Sequence, residues 1–283
     1  MAFLEQGVCK LELNHVLEKL SKTFELVEPL QKINEETYLY GGYIRDSLLG
    51  KKSQDIDVKT ACTLEEVLSV FPHFETRVTV DEQHVIAYGQ VKGEFIEINP
   101  VGKPGILNHH TYNDLSINSM FFDGQELIDK HNGLSDLKNG LIDCVDEELF
   151  AKNIQDKPLI LMKFFRLISK TGFEPTSRIQ DIISSVKPED ISNNINKSIL
   201  NQEAYRMVNE NYFPKMLYWL VEWGFLKKRY LKYLSGDMPE LRLMLVGKET
   251  DIQLAYWAYL LDIKVMIGFC EFFDLSNHLI EQM

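Results

Sequence analysis

The stretch GGYIRDSLLGKKSQDID, residues 41–57, decides the fold of this chain. A short β-type run, residues 38–40, leads into it and stops at the paired glycines. At the far end of the stretch, residues 54–59 alternate between apolar and polar side chains, which predicts a second strand. Farther outward, Thr63 and Glu66 form a capping-box pattern that predicts a helix over residues 64–71. This order of strands, turn and helix indicates an α+β domain.

Asp55 and Asp57 are the most informative side chains of this stretch. Side chains of a strand alternate between its two faces, so both carboxylates point the same way. Two hard oxygen ligands side by side suit Mg²⁺, and cations held there can assist an in-line phosphoryl displacement. The alternative is a solvated strand face, because the D-x-D pattern is common.

Gly41 and Gly42 predict a close approach of the backbone to a ligand. The N–H groups that open the following helix favour an anion such as a triphosphate. Arg45 adds a side chain suited to phosphate. The alternative is a tight structural turn with a surface pair between Arg45 and Asp46.

Glu97 offers a third carboxylate, on a strand predicted over residues 94–98. The pair Lys92-Gly93 separates this strand from residues 84–91 in a hairpin pattern, and Asp123-Gly124 marks a second hairpin. Glu97 can complete a metal site or accept the proton of an attacking hydroxyl. The alternative is a solvent-facing strand residue.

The order of these pieces resembles the head domain of the class II tRNA nucleotidyltransferase (CCA-adding enzyme) and bacterial poly(A) polymerase family. The family pattern G-G-x-V-R-D-x-L-L-G-x(4)-D-x-D is matched with only Ile44 in place of the valine. Three later segments, residues 113–120, 128–139 and 158–173, resemble further motifs of the family in the same order. The resemblance covers residues from about 38 to 175 in register.

The resemblance implies a polymerase-β-like nucleotidyltransferase head, followed by an all-helical neck and a short body. It implies a Mg²⁺-dependent enzyme that takes an NTP, either ATP or CTP, and adds NMP to an RNA 3′ end such as that of a tRNA. Asp55 and Asp57 are the expected metal ligands and, with Glu97, the expected catalytic residues. The expected nucleotide-binding residues are Gly41, Gly42, Arg45, Asp46, Asp114, Asn118 and Arg166.

The chain departs from the family in two motifs. Tyr112 and Asn113 replace the two arginines that precede the Asp114 position. In the neck motif E-D-x-x-R, Lys157 replaces the aspartate and Ile160 replaces the arginine, two side chains that present hydrogen-bond edges to the base in the family. A buried base edge without a partner typically costs ~1–3 kcal/mol. We therefore expect the base specificity to diverge from that of the family.

Helical periodicity divides the chain into a leading helical segment, residues 1–32, a head, residues 33–145, and a helical neck with a truncated body, residues 146–283. In the last part, Trp219, Trp223 and Phe225 lie at helical spacing, which favours a place in the core. The basic residues 227–229 indicate either a residual RNA contact or, by preference, the end of a helix.

Composition limits the classes of function. The chain has 283 residues, 25% of them charged, and a net charge of −12, which argues against broad binding to nucleic acid. Four scattered cysteines without a C-x-x-C pair favour a reduced, cytoplasmic protein, and we expect neither a secretory leader nor a membrane span. Two functions remain: an active nucleotidyltransferase, or a catalytically weak nucleotide- or protein-binding module that retains the head fold.

Overall fold

The computed structural model describes residues 10–53, 55–78, 85–108, 115–188, 195–228 and 263–273. The chain divides into two compact units, residues 1–149 and residues 150–283. This division lies a few residues beyond the boundary expected near residue 145. The leading helices, which the sequence sets apart as residues 1–32, fall within the first unit rather than in a segment of their own.

The first unit combines a sheet with helices. Its helices are α1 (Lys10–Phe24), α2 (Glu28–Gln31), α3 (Gly41–Leu48), α4 (Leu64–Val70) and α5 (Gly133–Asn139), with 3-10 turns η1 (Ile106–Asn108) and η2 (Ser116–Asn118). Its strands are β1 (Thr37–Tyr40), β2 (Ile56–Thr60), β3 (Glu75–Val78), β4 (Val85–Val91), β5 (Glu94–Pro100), β6 (Met120–Phe122), β7 (Leu127–Asp129) and the short β8 (Leu141–Ile142). The expected α+β class is confirmed.

Strands β1 to β7 form one sheet in the order β3-β4-β5-β2-β1-β6-β7. Neighbouring strands are antiparallel except β2 and β5, which run parallel in the middle of the sheet. One face of the sheet is apolar, with Leu39, Val58 and Ile98 fully buried. The helices α3 and α4 contact the sheet strands. By strand alternation, Asp57 and Glu97 lie on the opposite face.

Local sequence accounts for the two predicted hairpins and for the start of α4. At the β4–β5 turn, Lys92 and Gly93 both have positive φ, 51° and 88°, as the favoured two-residue hairpin turn requires. Gly124, in the β6–β7 turn, has φ 100°. The Thr63 side chain accepts a hydrogen bond from the backbone N–H of Glu66, and the Glu66 carboxylate accepts one from Thr63, so the capping box is confirmed.

The helices α1 and α2 pack against the rest of the first unit. The Thr23 and Tyr43 hydroxyls are 2.7 Å apart, and the ring of Phe24 meets that of Phe122 edge to face with centroids 6.3 Å apart. The side chain of Gln31 donates a hydrogen bond of 2.8 Å to the carbonyl of Asp123. These contacts explain why the leading helices belong to the same unit as the sheet.

Within the described ranges, the second unit is helical apart from one two-residue strand. Its elements are α6 (Glu147–Asp156, which begins just before the boundary), α7 (Leu159–Thr171), β9 (Glu174–Pro175), α8 (Ser177–Ser184), α9 (Lys197–Val208), α10 (Phe213–Glu222) and α11 (Ile263–Phe272). The all-helical expectation therefore needs the small correction of β9. No helix in the described ranges is long and apolar enough to cross a membrane.

Aromatic side chains build the core of the second unit. Trp223 and Phe225 are buried, as their spacing predicts, and Trp223 stacks on Phe165 with ring centroids 5.8 Å apart. Trp219 is only partly buried, and its ring also stacks on that of Trp223. The basic residues 227 and 228 lie beyond the end of α10, so the helix-end interpretation does not hold for α10, and residue 229 is outside the described ranges.

Candidate active site

Three carboxylates meet on the face of the sheet opposite Leu39, Val58 and Ile98. Asp57 lies on β2, Asp55 immediately precedes that strand, and Glu97 lies directly opposite Asp57 in the parallel β2–β5 pair. Each is partly buried, and each offers an oxygen such that the three oxygens lie within 4.8 Å of one another. The sheet register therefore brings together the three acidic residues that the sequence singles out.

The charge of this cluster is poorly compensated. Burial, followed by the negative charges of Asp55 and Glu97, raises the pKa of Asp57 from its ordinary 3.8 to about 7. The backbone N–H of Tyr43 and the positive charge of Arg45 act in the opposite direction but do not offset this rise. Carboxylate oxygens are the ligands that Mg²⁺ prefers, and clustered negative charge favours a bound cation. The donor set thus fits a divalent cation.

The paired glycines approach the carboxylates directly. Tyr40 is extended, and α3 begins at Gly41, whose φ of 67° favours glycine. A Cβ atom added to Gly42 would lie 3.5 Å from Oδ2 of Asp57 and 3.4 Å from Nη2 of Arg45. The start of α3 therefore lies beside the carboxylate cluster, with Gly41 buried and Gly42 partly buried.

Arg45 connects α3 to η2 inside the protein. Its guanidinium donates to Oδ1 of Asp46, at 2.9 Å, and to Oδ1 of Asn118, at 2.6 Å. Arg45 and Asp46 are both buried. The sequence suggests either a phosphate contact or a surface pair for Arg45. The structure instead shows an internal ion pair, which fixes the start of α3 beside Asp57 and brings three of the expected nucleotide-binding residues together.

The later motif, residues 128–139, holds η2 in place. The carboxylate of Asp129 accepts hydrogen bonds of 2.9 Å from the backbone N–H groups of Gly133 and Leu134 at the start of α5. The hydroxyl of Ser116 donates to the carboxylate of Asp136. A Cβ on Gly133 would lie only 2.4 Å from the carbonyl oxygen of Ser116. The motif therefore acts by close packing of α5 on η2 and contains no residue of the carboxylate cluster.

Sequence reasoning missed Tyr40, whose ring lies beside the cluster. The ring stacks on Phe121 with centroids 6.1 Å apart, and Nζ of the fully buried Lys59 lies 4.4 Å from the ring centroid. The side chain hydrogen-bonds to Asn99, and burial, followed by the charge of Asp57, raises the pKa of the phenol. Tyr40 therefore stays protonated next to three carboxylates.

Arg77 is a second residue that sequence reasoning missed. Its Nη2 donates a hydrogen bond of 2.6 Å to Oε1 of Glu97, from the edge strand β3 across β4. The guanidinium also lies over the ring of Tyr88, 5.4 Å from its centroid. One member of the carboxylate cluster is thus tied to a cation at the edge of the sheet.

Comparison with known proteins identifies the head. Residues 37–102 match the family described as the poly A polymerase head domain. These residues span β1 to β5 and contain all three carboxylates and both glycines of the site. Over these residues the chain is similar to the head domain of that family.

Curated relatives extend the likeness beyond the head. The CC-adding tRNA nucleotidyltransferase of Shouchella clausii is 30% identical over 154 residues, which are 53% of this chain and 39% of that protein. The CCA-adding enzyme of Geobacillus sp. strain WCH70 is 23% identical over 299 residues, 94% of this chain and 69% of that protein. The chain spans about two fifths of the length of the CC-adding relatives it matches.

Solved structures of CCA-adding enzymes share the fold. The crystal structure of the Bacillus stearothermophilus CCA-adding enzyme in complex with CTP superposes with a TM-score of 0.64 at 19% identity. The match covers 92% of this chain and 67% of that enzyme. The expected head with a helical continuation is therefore confirmed at the level of fold.

The remaining family positions fall in the second unit or outside the described residues. Arg166, on α7, pairs through Nε with Oε2 of Glu203 at 3.2 Å. Lys157 lies between α6 and α7, and Ile160 lies in the first turn of α7, partly buried. Asp114 lies outside the described residues, as do Tyr112 and Asn113. Lys157 and Ile160 thus differ from the family pattern at two positions of the neck motif.

Proposed function

We propose that this chain is a divalent-cation-dependent, template-independent RNA nucleotidyltransferase. It transfers NMP from ATP or CTP to an RNA 3′ end, with tRNA as the first acceptor to test, and Mg²⁺ is the proposed cation. The observation that carries the proposal is the cluster of Asp55, Asp57 and Glu97, whose oxygens lie within 4.8 Å of one another beside the glycine turn. Relatives named as a CC-adding tRNA nucleotidyltransferase and as a CCA-adding enzyme support it.

Asp55 and Asp57 hold the cation in this proposal, and Glu97 completes the ligand set. A bound divalent cation would neutralise phosphate charge and favour ionisation of the attacking hydroxyl. The protein places the Asp57 carboxylate where little water reaches it, since burial raises its pKa to about 7. Two or three carboxylates on one face of the sheet are a sufficient donor set for Mg²⁺, which usually retains several waters.

The backbone at the start of α3 receives the triphosphate in this proposal. Because Gly41 and Gly42 lack side chains, phosphate oxygens can approach the N–H groups that open the helix. Arg45 positions the glycine turn, since its hydrogen bonds to Asp46 and Asn118 hold this turn against Asp57. The site therefore separates phosphate binding by backbone from charge compensation by the carboxylate-bound cation.

The transfer itself is a single displacement. The 3′-hydroxyl oxygen of the RNA forms a bond to the α-phosphorus, the bond from that phosphorus to the bridging oxygen of the β-phosphate breaks, and pyrophosphate leaves. The hydroxyl proton passes to a carboxylate oxygen of the cluster, which acts as the base. The residues that would select the base lie in the neck, where Lys157 and Ile160 replace the family's acidic and basic pair. We therefore propose a base specificity that differs from the C-then-C-then-A order.

Radiolabelled NTPs test the proposal directly. Each NTP is incubated with Mg²⁺ and with tRNA that lacks part of its 3′ end, and the RNA is analysed on a gel for added nucleotides. The protein should extend the RNA with at least one NTP. The double variant Asp55→Asn/Asp57→Asn should lose this activity by at least about a hundredfold, since removing charge stabilisation of this kind costs about 10²–10³ in rate.

The matched control is Glu126→Gln, which removes an exposed acid in the β6–β7 turn, away from the cluster. It should transfer NMP as well as the unaltered protein. Absence of transfer with every NTP, or equal transfer by the double variant, contradicts the proposal. In that case thermal stabilisation by NTP with Mg²⁺ identifies the alternative of a nucleotide-binding module without catalysis, because a ligand at ~100 Kd adds about 2.7 kcal/mol.

A further inference from the structure

Arg77 forms a hydrogen-bonded ion pair with Glu97, the third carboxylate of the cluster. Its guanidinium donates to Glu97 at 2.6 Å, although Arg77 lies on the edge strand β3 and Glu97 on β5, two strands away. The side chain of Arg77 is 50% exposed, whereas that of Glu97 is 17% exposed. The guanidinium of Arg77 is thus at the surface, and the carboxylate of Glu97 is largely buried.

The strands next to Arg77 fix its direction. The arginine lies over the ring of Tyr88, which stands opposite Glu97 in the β4–β5 pair. The hydroxyl of Tyr88 donates a hydrogen bond of 2.7 Å to Glu75, two residues before Arg77 on β3. The ring of Tyr88, held by Glu75, therefore supports the Arg77 side chain where it crosses β4.

Within the described part of the chain, the contact with Arg77 uses a single oxygen of Glu97. Among the described residues, both the hydrogen bond and the ion pair of Glu97 use Oε1. An unrestrained glutamate samples several rotamers, and only some of them direct its second oxygen toward Asp55 and Asp57. A hydrogen bond to Oε1 selects among these rotamers, as the outer partners of metal ligands generally do.

We propose that Arg77 is a positioning residue that orients Glu97 as the third ligand of the divalent cation. The inference rests on the proposed function, because it takes the carboxylate cluster as the cation site. An opposite effect competes with it, since a guanidinium near the site repels a cation. That repulsion is weak at a half-exposed side chain, where solvent and salt screen the charge. Orientation of Glu97 therefore dominates.

The test measures binding of Mn²⁺ alone, without nucleotide or RNA, by isothermal titration calorimetry. Arg77→Met removes the donor and the charge but keeps an unbranched stem, and it should weaken Mn²⁺ binding by roughly tenfold, the lower end of the usual effect of such partners, because losing the positive charge acts in the opposite direction. Arg77→Lys restores a charged donor on a stem of similar length and should recover most of the affinity. At limiting Mg²⁺, NMP transfer by Arg77→Met should fall, and saturating Mg²⁺ should restore it.

Lys92→Met is the matched control. It removes one positive charge from the same part of the sheet, at an exposed turn position that has a positive φ with either residue. It should leave Mn²⁺ affinity unchanged. An equal loss in Lys92→Met and Arg77→Met would show a general charge effect and overturn the inference. Tighter Mn²⁺ binding by Arg77→Met, or unchanged binding, would overturn it as well.

Failure of the inference is distinct from failure of the proposed function. If Asp57→Asn binds Mn²⁺ as well as the unaltered protein, the cation site is elsewhere and the proposed function loses its basis. If Asp57→Asn abolishes binding while Arg77→Met does not affect it, only the role of Arg77 is wrong. Thermal unfolding of each variant without cation establishes that it is folded, and Arg77→Met should unfold close to the unaltered protein because Arg77 lies on an exposed edge strand.

Discussion

At the scale of single residues, Asp57 links stability to pH. Its pKa of about 7 in the folded protein exceeds the ordinary 3.8, so the folded state holds this proton more tightly than the unfolded chain does. The contribution of this group to the free energy of unfolding therefore falls as the pH rises from about 4 to about 7. A divalent cation replaces the proton, so Mg²⁺ should raise the melting temperature more at about pH 8 than at about pH 6.

Thermal denaturation with and without Mg²⁺ at these two pH values measures this effect. Asp57→Asn removes the titrating group and should melt at a temperature that depends less on pH between these values. An equal increment from Mg²⁺ at both pH values, or a larger one at the lower pH, would contradict the assigned cause. Tyr40 does not add to this dependence near neutral pH, because its phenol stays protonated there.

The two glycines of the turn make different demands on the backbone. Gly41 has φ 67°, a conformation that costs an ordinary residue about 1–2 kcal/mol, whereas the Cβ of an alanine at position 42 would make ordinary contacts of 3.4 Å and longer. Gly41→Ala should therefore lower the free energy of unfolding by about 1 kcal/mol. Gly42→Ala should be nearly as stable as the unaltered protein but should bind NTP more weakly, because its methyl group lies beside Asp57.

Urea unfolding and thermal shifts with NTP and Mg²⁺ separate these two outcomes. Equal losses of stability in both variants would show that strain at Gly41 is not the distinguishing feature. Unchanged NTP binding by Gly42→Ala would show that phosphate does not approach the backbone at this position.

At the scale of elements, α5 supports the site through η2. Gly133 is the point of closest approach, since a Cβ there would lie 2.4 Å from a backbone oxygen that cannot move aside easily. Gly133→Ala should therefore displace η2 and, through Asn118, the guanidinium of Arg45. We expect a loss of about 1–3 kcal/mol in the free energy of unfolding, as for other overpacked interiors, and a reduced rate of NMP transfer.

Chemical denaturation measures this loss, and Ser135→Ala is its control. Ser135 is an exposed residue of the same helix, and its substitution should change stability by no more than about 0.5 kcal/mol. A stable Gly133→Ala protein with full activity would show that η2 tolerates the displacement and that α5 does not control the position of Arg45.

Local pattern predicted the elements better than it predicted their partners. The capping box of Thr63 and Glu66 and the turn at Lys92-Gly93 depend on neighbours in sequence, so the sequence alone locates them. The contact between Arg77 and Glu97 depends on strand order, because β3 reaches β5 only across β4. Strand order is a tertiary property, so hydrophobic alternation along a strand does not report it.

The aspartates illustrate the same division at the site. Alternation along β2 is enough to place Asp55 and Asp57 on one face, and the family motif adds the glycine turn. The parallel pairing that sets Glu97 opposite Asp57 requires the fold of the whole sheet. Arg45 was assigned to phosphate from its position in the motif, whereas its burial against Asp46 and Asn118 follows from packing that no local pattern contains.

At the scale of the whole molecule, the acidic charge disfavours binding of RNA in general. With 42 acidic and 30 basic residues the chain carries a net charge of −12, which repels a phosphate backbone. Each phosphate contact on a single strand adds roughly 0.7 to the steepness with which log affinity falls with log salt. We therefore expect a shallow slope, below about 3 in magnitude, for unrelated single-stranded RNA, together with weak binding at physiological salt.

Fluorescence anisotropy over a salt series measures this slope, and transfer to tRNA in excess unrelated RNA supplies the functional comparison. The competitor should leave the rate of NMP transfer nearly unchanged, because an acidic chain binds unrelated RNA weakly at physiological salt. A steep slope with strong inhibition by unrelated RNA would instead reveal an extended basic surface, which would place RNA binding under general electrostatic control despite the acidic composition.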